Sequence, residues 1–320
     1  MLKFTCMEKR IIFMGTPEFA VPSLEALIQS AYQVVAVYTQ PDRKAGRGQA
    51  VTASAVKQKA LPGGLNVVQP ESLKAAGTAE EMASFAPDLI VVAAFGQILP
   101  AEILDLPKFG CLNVHPSLLP RHRGASPIAT AILQGDEATG VTIMLLDAGM
   151  DTGPILSQRE VSISADDTTG SLSGKLAHAG ARLLLETLPL WFDGRVKPQP
   201  QDEGRASYSK VINKGDGEID WRLSTIELWR RIRAFDPWPG CYTWWHGKRL
   251  KLGKAVPLYG ERPGEPGQVI NLSPPAPATV GVGTGDGVLG LLRVQLEGKR
   301  EVSAEEFVRG QRDFIGNSLL

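Results

Sequence analysis

Cysteine is scarce in this sequence. Three of 320 residues, Cys6, Cys111 and Cys241, are scattered along it, and no CxxC pair occurs. That excludes a disulfide framework and a thiolate zinc site, and it fits a reducing, cytoplasmic setting. Histidine is nearly as scarce. The four, His115, His122, His178 and His246, show no HxH or HxxxH spacing, so no metal site is expected. No apolar run approaches the roughly 18 residues of a membrane span, so no membrane partner is expected. Net charge is missing too, with 34 Lys and Arg against 34 Asp and Glu. Global electrostatic attraction to nucleic acid is excluded, whereas a local basic patch is not. Residues 1–208 carry 18 basic against 21 acidic side chains, and residues 209–320 carry 16 against 13, so the C-terminal part is the more basic. The first strand–helix turn, GTPEFA, has only Gly15 and no GxGxxG, and GxxxxGK[ST] and GxSxG are absent from the sequence. A dinucleotide fingerprint, a P-loop and a serine nucleophile elbow therefore drop out.

What is present is an ordinary globular balance of 43% hydrophobic and 21% charged residues over a length that suits two domains or one large one. The start, MLKFTCMEKRIIFMG, sets charges beside its apolar stretch and offers no cleavage site. It reads as the approach to a first strand near Arg10, not as a signal peptide, with Met7 as an alternative start. From there apolar strands alternate with helices: RIIFMG, YQVVAVYTQ, LNVVQP, DLIVVAAFG, GCLNVH and GVTIMLLD, separated by amphipathic stretches. That alternation predicts an α/β fold with a mostly parallel sheet covered on both faces. A switch to antiparallel pairing is expected where 140–147 turns into 153–163. The pattern changes near GRVKPQPQDEGRASY, which has the composition of a linker. Beyond it, short β-like runs punctuated by Gly and Pro predict a small barrel. The expected layout is a catalytic domain over 8–193, a linker over 194–208 and a C-terminal domain over 209–320.

Chemistry concentrates in NVHPSLLPRHRGASPI. Asn113 and His115 are two apart and share one face of a strand end. One reading is a pair of satisfied polar groups under a loop. The other is a site, because LLDAGMDTGP supplies Asp147 and Asp151 at a comparable place. An amide can donate to a developing oxyanion, an imidazole can move protons near neutral pH, and a carboxylate can orient that imidazole. Without a nucleophile elbow, the set suits direct transfer of an acyl-like group through a tetrahedral state. A second feature is PDRKAGRG, where Arg43, Lys44 and Arg47 lie among glycines. It is either a solvated loop or a grip on phosphates. The tryptophans between 221 and 245 read as core.

These segments resemble the folate-dependent formyltransferases. NVHPSLLPRHRGASPI and GVTIMLLDAGMDTGPI look like that family's signature. RIIFMGTPEFAVPSLEAL, TQPDRKAGRG and RAFDPWPG are similar to the branch that acts on methionyl initiator tRNA. The resemblance implies a Rossmann-like formyltransferase domain plus a C-terminal OB-like β-barrel domain that contacts tRNA. It implies Asn113, His115 and Asp151 as catalytic residues, with His115 protonated when it meets the oxyanion. It implies 10-formyltetrahydrofolate as formyl donor, held by Ser117, Leu118, Leu119 and Pro120 and by Phe95, Gly96, Gln97, Ile98 and Leu99. Arg43, Lys44 and Arg47 would bind the tRNA acceptor end, and a monomer is expected. Pro116 stands where many members have Gly. A formyltransferase for a small amine, a formyltetrahydrofolate hydrolase and a non-catalytic RNA-binding protein are the rival readings.

Overall fold

The structure, a computed structural model, describes residues 9–45, 50–258 and 264–320. The expectations placed on Cys6, Met7 and Arg47 lie outside the described residues. In chain order the strands are β1 (Arg10–Gly15), β2 (Gln33–Tyr38), β3 (Arg43–Ala45), β4 (Ala50–Thr52), β5 (Val67–Val68), β6 (Leu89–Ala93), β7 (Cys111–His115), β8 (Arg123–Gly124), β9 (Ala138–Leu145), β10 (Ile155–Ser162), β11 (Tyr208–Ser209), β12 (Cys241–Trp245), β13 (Lys248–Leu258), β14 (Val269–Asn271), β15 (Val280–Gly283), β16 (Val288–Leu296) and β17 (Val302–Ser303). The helices are α1 (Val21–Ile28), α2 (Ala55–Ala60), α3 (Thr78–Ser84), α4 (Ala101–Leu104), α5 (Pro127–Gln134), α6 (Thr169–Phe192), α7 (Thr225–Ala234) and α8 (Ala304–Gly310). No helix among the described residues is long and apolar enough to cross a membrane.

The chain forms two compact units. The first comprises Met1–Pro127, Ala138–Ser162 and Ser173–Ser209, and the second Ile128–Glu137, Ile163–Leu172 and Lys210–Leu320.

The first unit is built on a seven-stranded sheet in the order β10-β9-β7-β6-β1-β2-β5. Its centre is apolar on both faces. All five residues of β6 are buried, as are five of the six in β1. Strands so buried pair in parallel, with helices on either side. Strands β5, β2, β1, β6 and β7 do so. β1 ends at Gly15, where a Cβ would lie 2.7 Å from the Ala20 methyl and 3.0 Å from the Ala93 carbonyl oxygen. Only glycine lets the chain turn there into the next segment.

The antiparallel switch comes one strand earlier than the sequence suggests. β9 already runs antiparallel to β7, with Leu112 opposite Leu145 and His115 opposite Thr142. β10 is antiparallel to β9 in turn. Alternation reports burial, not direction, so the connection after His115, which re-enters the sheet at the carboxyl end of β7, is invisible to it. Likewise PDRKAGRG is not wholly loop, because β3 and β4 form a short hairpin pairing Arg43 with Thr52.

The second unit carries an antiparallel sheet in the order β12-β13-β16-β15-β14, with β17 added to β16. The short runs predict a small barrel, and the second unit carries an antiparallel half-barrel sheet. β13 is irregular between Leu252 and Ala255 where it pairs with β16. Bulges of this kind bend a long strand and increase its twist. Leu250, Leu252, Val280, Val282 and Val294 fill its interior. Trp245 packs edge-on against Phe307 and Phe314, and Trp221 donates its indole N–H to Thr243 at 3.0 Å. Those two tryptophans are core, as expected, whereas Trp238 is 56% exposed. Helix α7 opens with a reciprocal cap, the Ser224 hydroxyl accepting from Glu227 N and the Glu227 carboxylate accepting from Ser224 N.

Candidate active site

β7 reads Cys-Leu-Asn-Val-His, and its alternation puts Asn113 and His115 on one face with Leu112 and Val114 on the other. Asn113 and His115 border a cavity of about 570 Å3 in the first unit. Its walls include Val92, Phe95, Leu99, Leu104 and Leu146, so most of its lining is apolar. A mostly apolar lining with a few polar side chains suits sites that hold a ligand by apolar burial and orient it by a few directed bonds.

Asp151, from the turn between β9 and β10, also borders the cavity. Its Oδ1 lies 3.6 Å from His115 Nδ1. Its Oδ2 accepts from the Gly124 N–H at 2.8 Å. Asp151 adopts a left-handed backbone, φ 54°, which a residue with a side chain keeps only where its surroundings hold it. Asp147 has a different task. Its Oδ1 accepts from Gly149 N at 3.0 Å and from Thr152 Oγ1 at 2.7 Å, and these bonds shape the turn. Of the two aspartates in LLDAGMDTGP, Asp151 is therefore the one that meets the histidine.

His115 is buried, and its Nε2 lies 3.2 Å from the His122 carbonyl oxygen. A carbonyl can only accept, so Nε2 bears the hydrogen and Nδ1 is the position that gains or loses a proton. Burial pulls the imidazole below the ordinary histidine range. The Asp151 carboxylate and the His122 carbonyl pull it upward, and burial wins. At rest the ring is neutral.

Asn113 sits on β7 between Met144 and Val92 of the neighbouring strands. Its side-chain amide makes no hydrogen bond among the described residues, so its N–H donors are available to a ligand. Cys111, two residues earlier, is buried, and desolvation pushes its thiol up to about 12. It is no nucleophile at neutral pH.

The two segments expected to hold a donor part company. Phe95, Gly96, Gln97, Ile98 and Leu99 all border the cavity. The Gln97 amide also ties down the 70–73 segment, accepting from Leu73 N at 2.9 Å and donating to the Pro70 carbonyl at 3.2 Å. Ser117, Leu118, Leu119 and Pro120 do not border it. Their turn is fastened to β9 and β10 instead. Ser117 Oγ donates to the Arg121 carbonyl at 2.6 Å, and Thr142 Oγ1 donates to the Ser117 carbonyl and accepts from Leu119 N. Gln158 Nε2 donates to the Leu119 carbonyl at 2.8 Å. Leu118 covers Gly140, where a Cβ would come within 2.5 Å of the leucine methyl. Hydrogen bonding and close packing thus fasten this turn to β9 and β10. Pro116 does border it.

In the basic loop, Arg43 is exposed, and its guanidinium donates to Gln40 Oε1 at 3.0 Å. The hairpin's base is fixed by Lys57, which bonds Asp42 and Gln69 at 2.7 Å each and holds the Asp42 carboxyl below its usual range. Lys44 follows Arg43 on β3. Some cavity residues have no signal in the sequence. Met150, 61% exposed, and the Gly124 backbone are examples.

Residues 9–188 match the formyl transferase family, and residues 211–312 match the formyl transferase C-terminal domain. The chain is 48% identical to a methionyl-tRNA formyltransferase of Roseiflexus sp. (strain RS-1), over 98% of this chain and 96% of that protein. It is 47% identical to the methionyl-tRNA formyltransferase of Myxococcus xanthus (strain DK1622), over 95% of each. Among solved structures it shares the fold of WlaRD, a sugar 3N-formyl transferase, with a TM-score of 0.64 and 23% identity over 92% of this chain and 99% of that one. It also shares the fold of HypX from Aquifex aeolicus in complex with tetrahydrofolic acid, with a TM-score of 0.62 and 20% identity. That match takes in 96% of this chain but only 48% of HypX, so the chain spans about half the length of that protein. The two domain matches and the near-full-length identity carry one conclusion: the chain belongs to the methionyl-tRNA formyltransferase family.

Proposed function

We propose that this protein transfers the formyl group of 10-formyltetrahydrofolate to the α-amine of methionyl initiator tRNA, and that Asn113, His115 and Asp151 perform the transfer. One observation supports the site assignment above the others. An amide without a partner among the described residues, a neutral imidazole and a carboxylate 3.6 Å from that imidazole border one mostly apolar cavity. The flat ring system of a folate suits such walls, and a carbonyl to be attacked suits those polar groups. Phe95, Gly96, Gln97, Ile98 and Leu99 would border the donor.

The donor supplies an activated formyl carbon. The amine adds to it, and negative charge grows on the formyl oxygen. The Asn113 amide donates to that oxygen. Loss of a comparable donor typically costs about a hundredfold in rate. The amine must shed a proton as it adds. Neutral His115 takes that proton on Nδ1, the nitrogen facing Asp151, and returns it to the nitrogen that leaves. Asp151 stabilises the transient imidazolium at 3.6 Å and keeps the ring aimed. Its second oxygen stays tied to Gly124, so the carboxylate does not swing away. Arg43, with Lys44 and Arg47, would grip the tRNA backbone, and the second unit would extend that contact.

A transfer assay tests the proposal, with purified protein, 10-formyltetrahydrofolate and either methionyl initiator tRNA or free methionine. Formylation of the tRNA alone is expected. Formylation of free methionine, or formate release without acceptor, would overturn the substrate assignment.

A further inference from the structure

The segment just before the second unit reads as a linker by composition, yet it is bonded into both halves of the candidate site. Gln199 exchanges two 2.8 Å backbone bonds with Ile155 at the start of β10. Ser207 accepts from Arg123 N at 2.8 Å through its carbonyl and from His122 N at 2.9 Å through its hydroxyl. β11 then pairs in parallel with β8.

Gln201 is the pivot of this strap. Its Nε2 donates to the Asp151 carbonyl at 2.8 Å and to the Gly153 carbonyl at 2.7 Å. Its Oε1 accepts from Arg123 Nε at 3.0 Å and Arg123 Nη2 at 2.9 Å. The amide can face only one way, because a guanidinium only donates and a carbonyl only accepts. Arg123 is itself fully buried in its side chain, and Glu203, 69% exposed, closes over it with bonds of 2.9 and 2.7 Å. Two charge-assisted contacts thus fix Arg123, Arg123 fixes Gln201, and Gln201 clasps the turn on either side of Thr152. The left-handed Asp151 is one end of that clasp. Such backbone persists where neighbours over-determine it.

We infer that Gln201, locked in place by buried Arg123, is a positioning residue that sets the Asp151 carboxylate against His115. The inference rests on Asp151 being catalytic. Gln201 touches neither the imidazole nor the carboxylate. It acts through the backbone of the Asp151–Gly153 turn, so it affects the chemical step and not the affinity for either substrate. Gln201→Glu keeps the contact with Arg123 but sets oxygen against two carbonyls. Gln201→Met keeps the length and makes no hydrogen bond.

The test is a double-mutant cycle on the full chain, with steady-state formylation of methionyl initiator tRNA and thermal denaturation of every variant. Gln201→Glu and Gln201→Met each lower kcat about tenfold to a hundredfold, as a misplacement near 1 Å does. KM for the donor and for the tRNA stays within about twofold, and either substitution adds less than about twofold in an Asp151→Asn background. Wild-type kcat in both Gln201 variants, beside a crippled Asp151→Asn, overturns the positioning role alone. So does an undiminished loss in the Asp151→Asn background, or failure of the Gln201 variants to fold. Wild-type kcat in Asp151→Asn overturns the catalytic reading beneath it.

Discussion

His115 Nδ1 stands 3.6 Å from Asp151 Oδ1, while the other oxygen of that carboxylate is bound by the Gly124 N–H at 2.8 Å. The separation is that of an ion pair waiting for its proton, not of a settled hydrogen bond. One partner sits at the end of a strand and the other in a left-handed turn, and neither needs to move far to share charge.

Asn113 is the donor with no other employment. Replacing it with Ala removes an oxyanion contact and breaks no bond among the described residues. Asn113→Ala is expected to lower kcat about a hundredfold and to change unfolding free energy by less than about 1 kcal/mol. Steady-state kinetics beside urea denaturation checks both. A large loss of stability would return Asn113 to a structural role.

Burial of neutral His115 predicts a pH signature in stability. Its folded value is depressed below the ordinary histidine range near 6.5. On acidification through that range the unfolded chain takes up a proton and the folded chain does not. Stability is therefore full above about 6.5 and falls below it, with a slope of up to about 1.4 kcal/mol per pH unit, until the folded value is reached. His115→Gln removes this one contribution. Between pH 7 and pH 5, wild type should lose more unfolding free energy in urea than the variant. Parallel losses would contradict the assignment.

The turn 117–120 offers a choice between two roles. Thr142 is fully buried and holds it through Ser117 and Leu119, and also meets Gln158 at 2.9 Å. Thr142→Val strands those partners and should cost about 1–3 kcal/mol of stability. KM for the folate donor should stay within about threefold if the turn is scaffold. A donor KM that rises tenfold or more would restore these residues to the donor site.

Arg43 should behave as a phosphate contact. Arg43→Ala is expected to raise KM for the tRNA and leave KM for the donor unchanged. It should also reduce the slope of log affinity against log salt by about one. Filter binding across a salt series measures this. Equal weakening of both substrates would place Arg43 elsewhere.

Much of the fold was legible because burial writes itself into the sequence. β6, LIVVA, lies within DLIVVAAFG, which read as an apolar strand of a sheet covered on both faces. Asn113 and His115 were readable because their side chains stand out on an apolar strand, and Asp151 because it follows another. What escaped notice is set by backbone and direction. The early antiparallel turn of β9 leaves no compositional mark. The fastening of the Ser117–Pro120 turn depends on bonds to Thr142 and Gln158, more than 20 residues away in sequence. Gln201 was hidden for a similar reason. A polar stretch rich in Pro looks like a linker whether it is free or strapped down by a buried arginine.

Single-turnover formylation by Asp151→Asn, with tRNA and donor both saturating, tests the central claim most directly. The substitution keeps the size of the side chain and its bond from Gly124 while removing the charge opposite His115. A rate constant at least about a hundredfold below wild type, in a protein of unchanged melting temperature, is the expected result. A wild-type rate would show that the pairing of Asp151 with His115 has no part in the transfer.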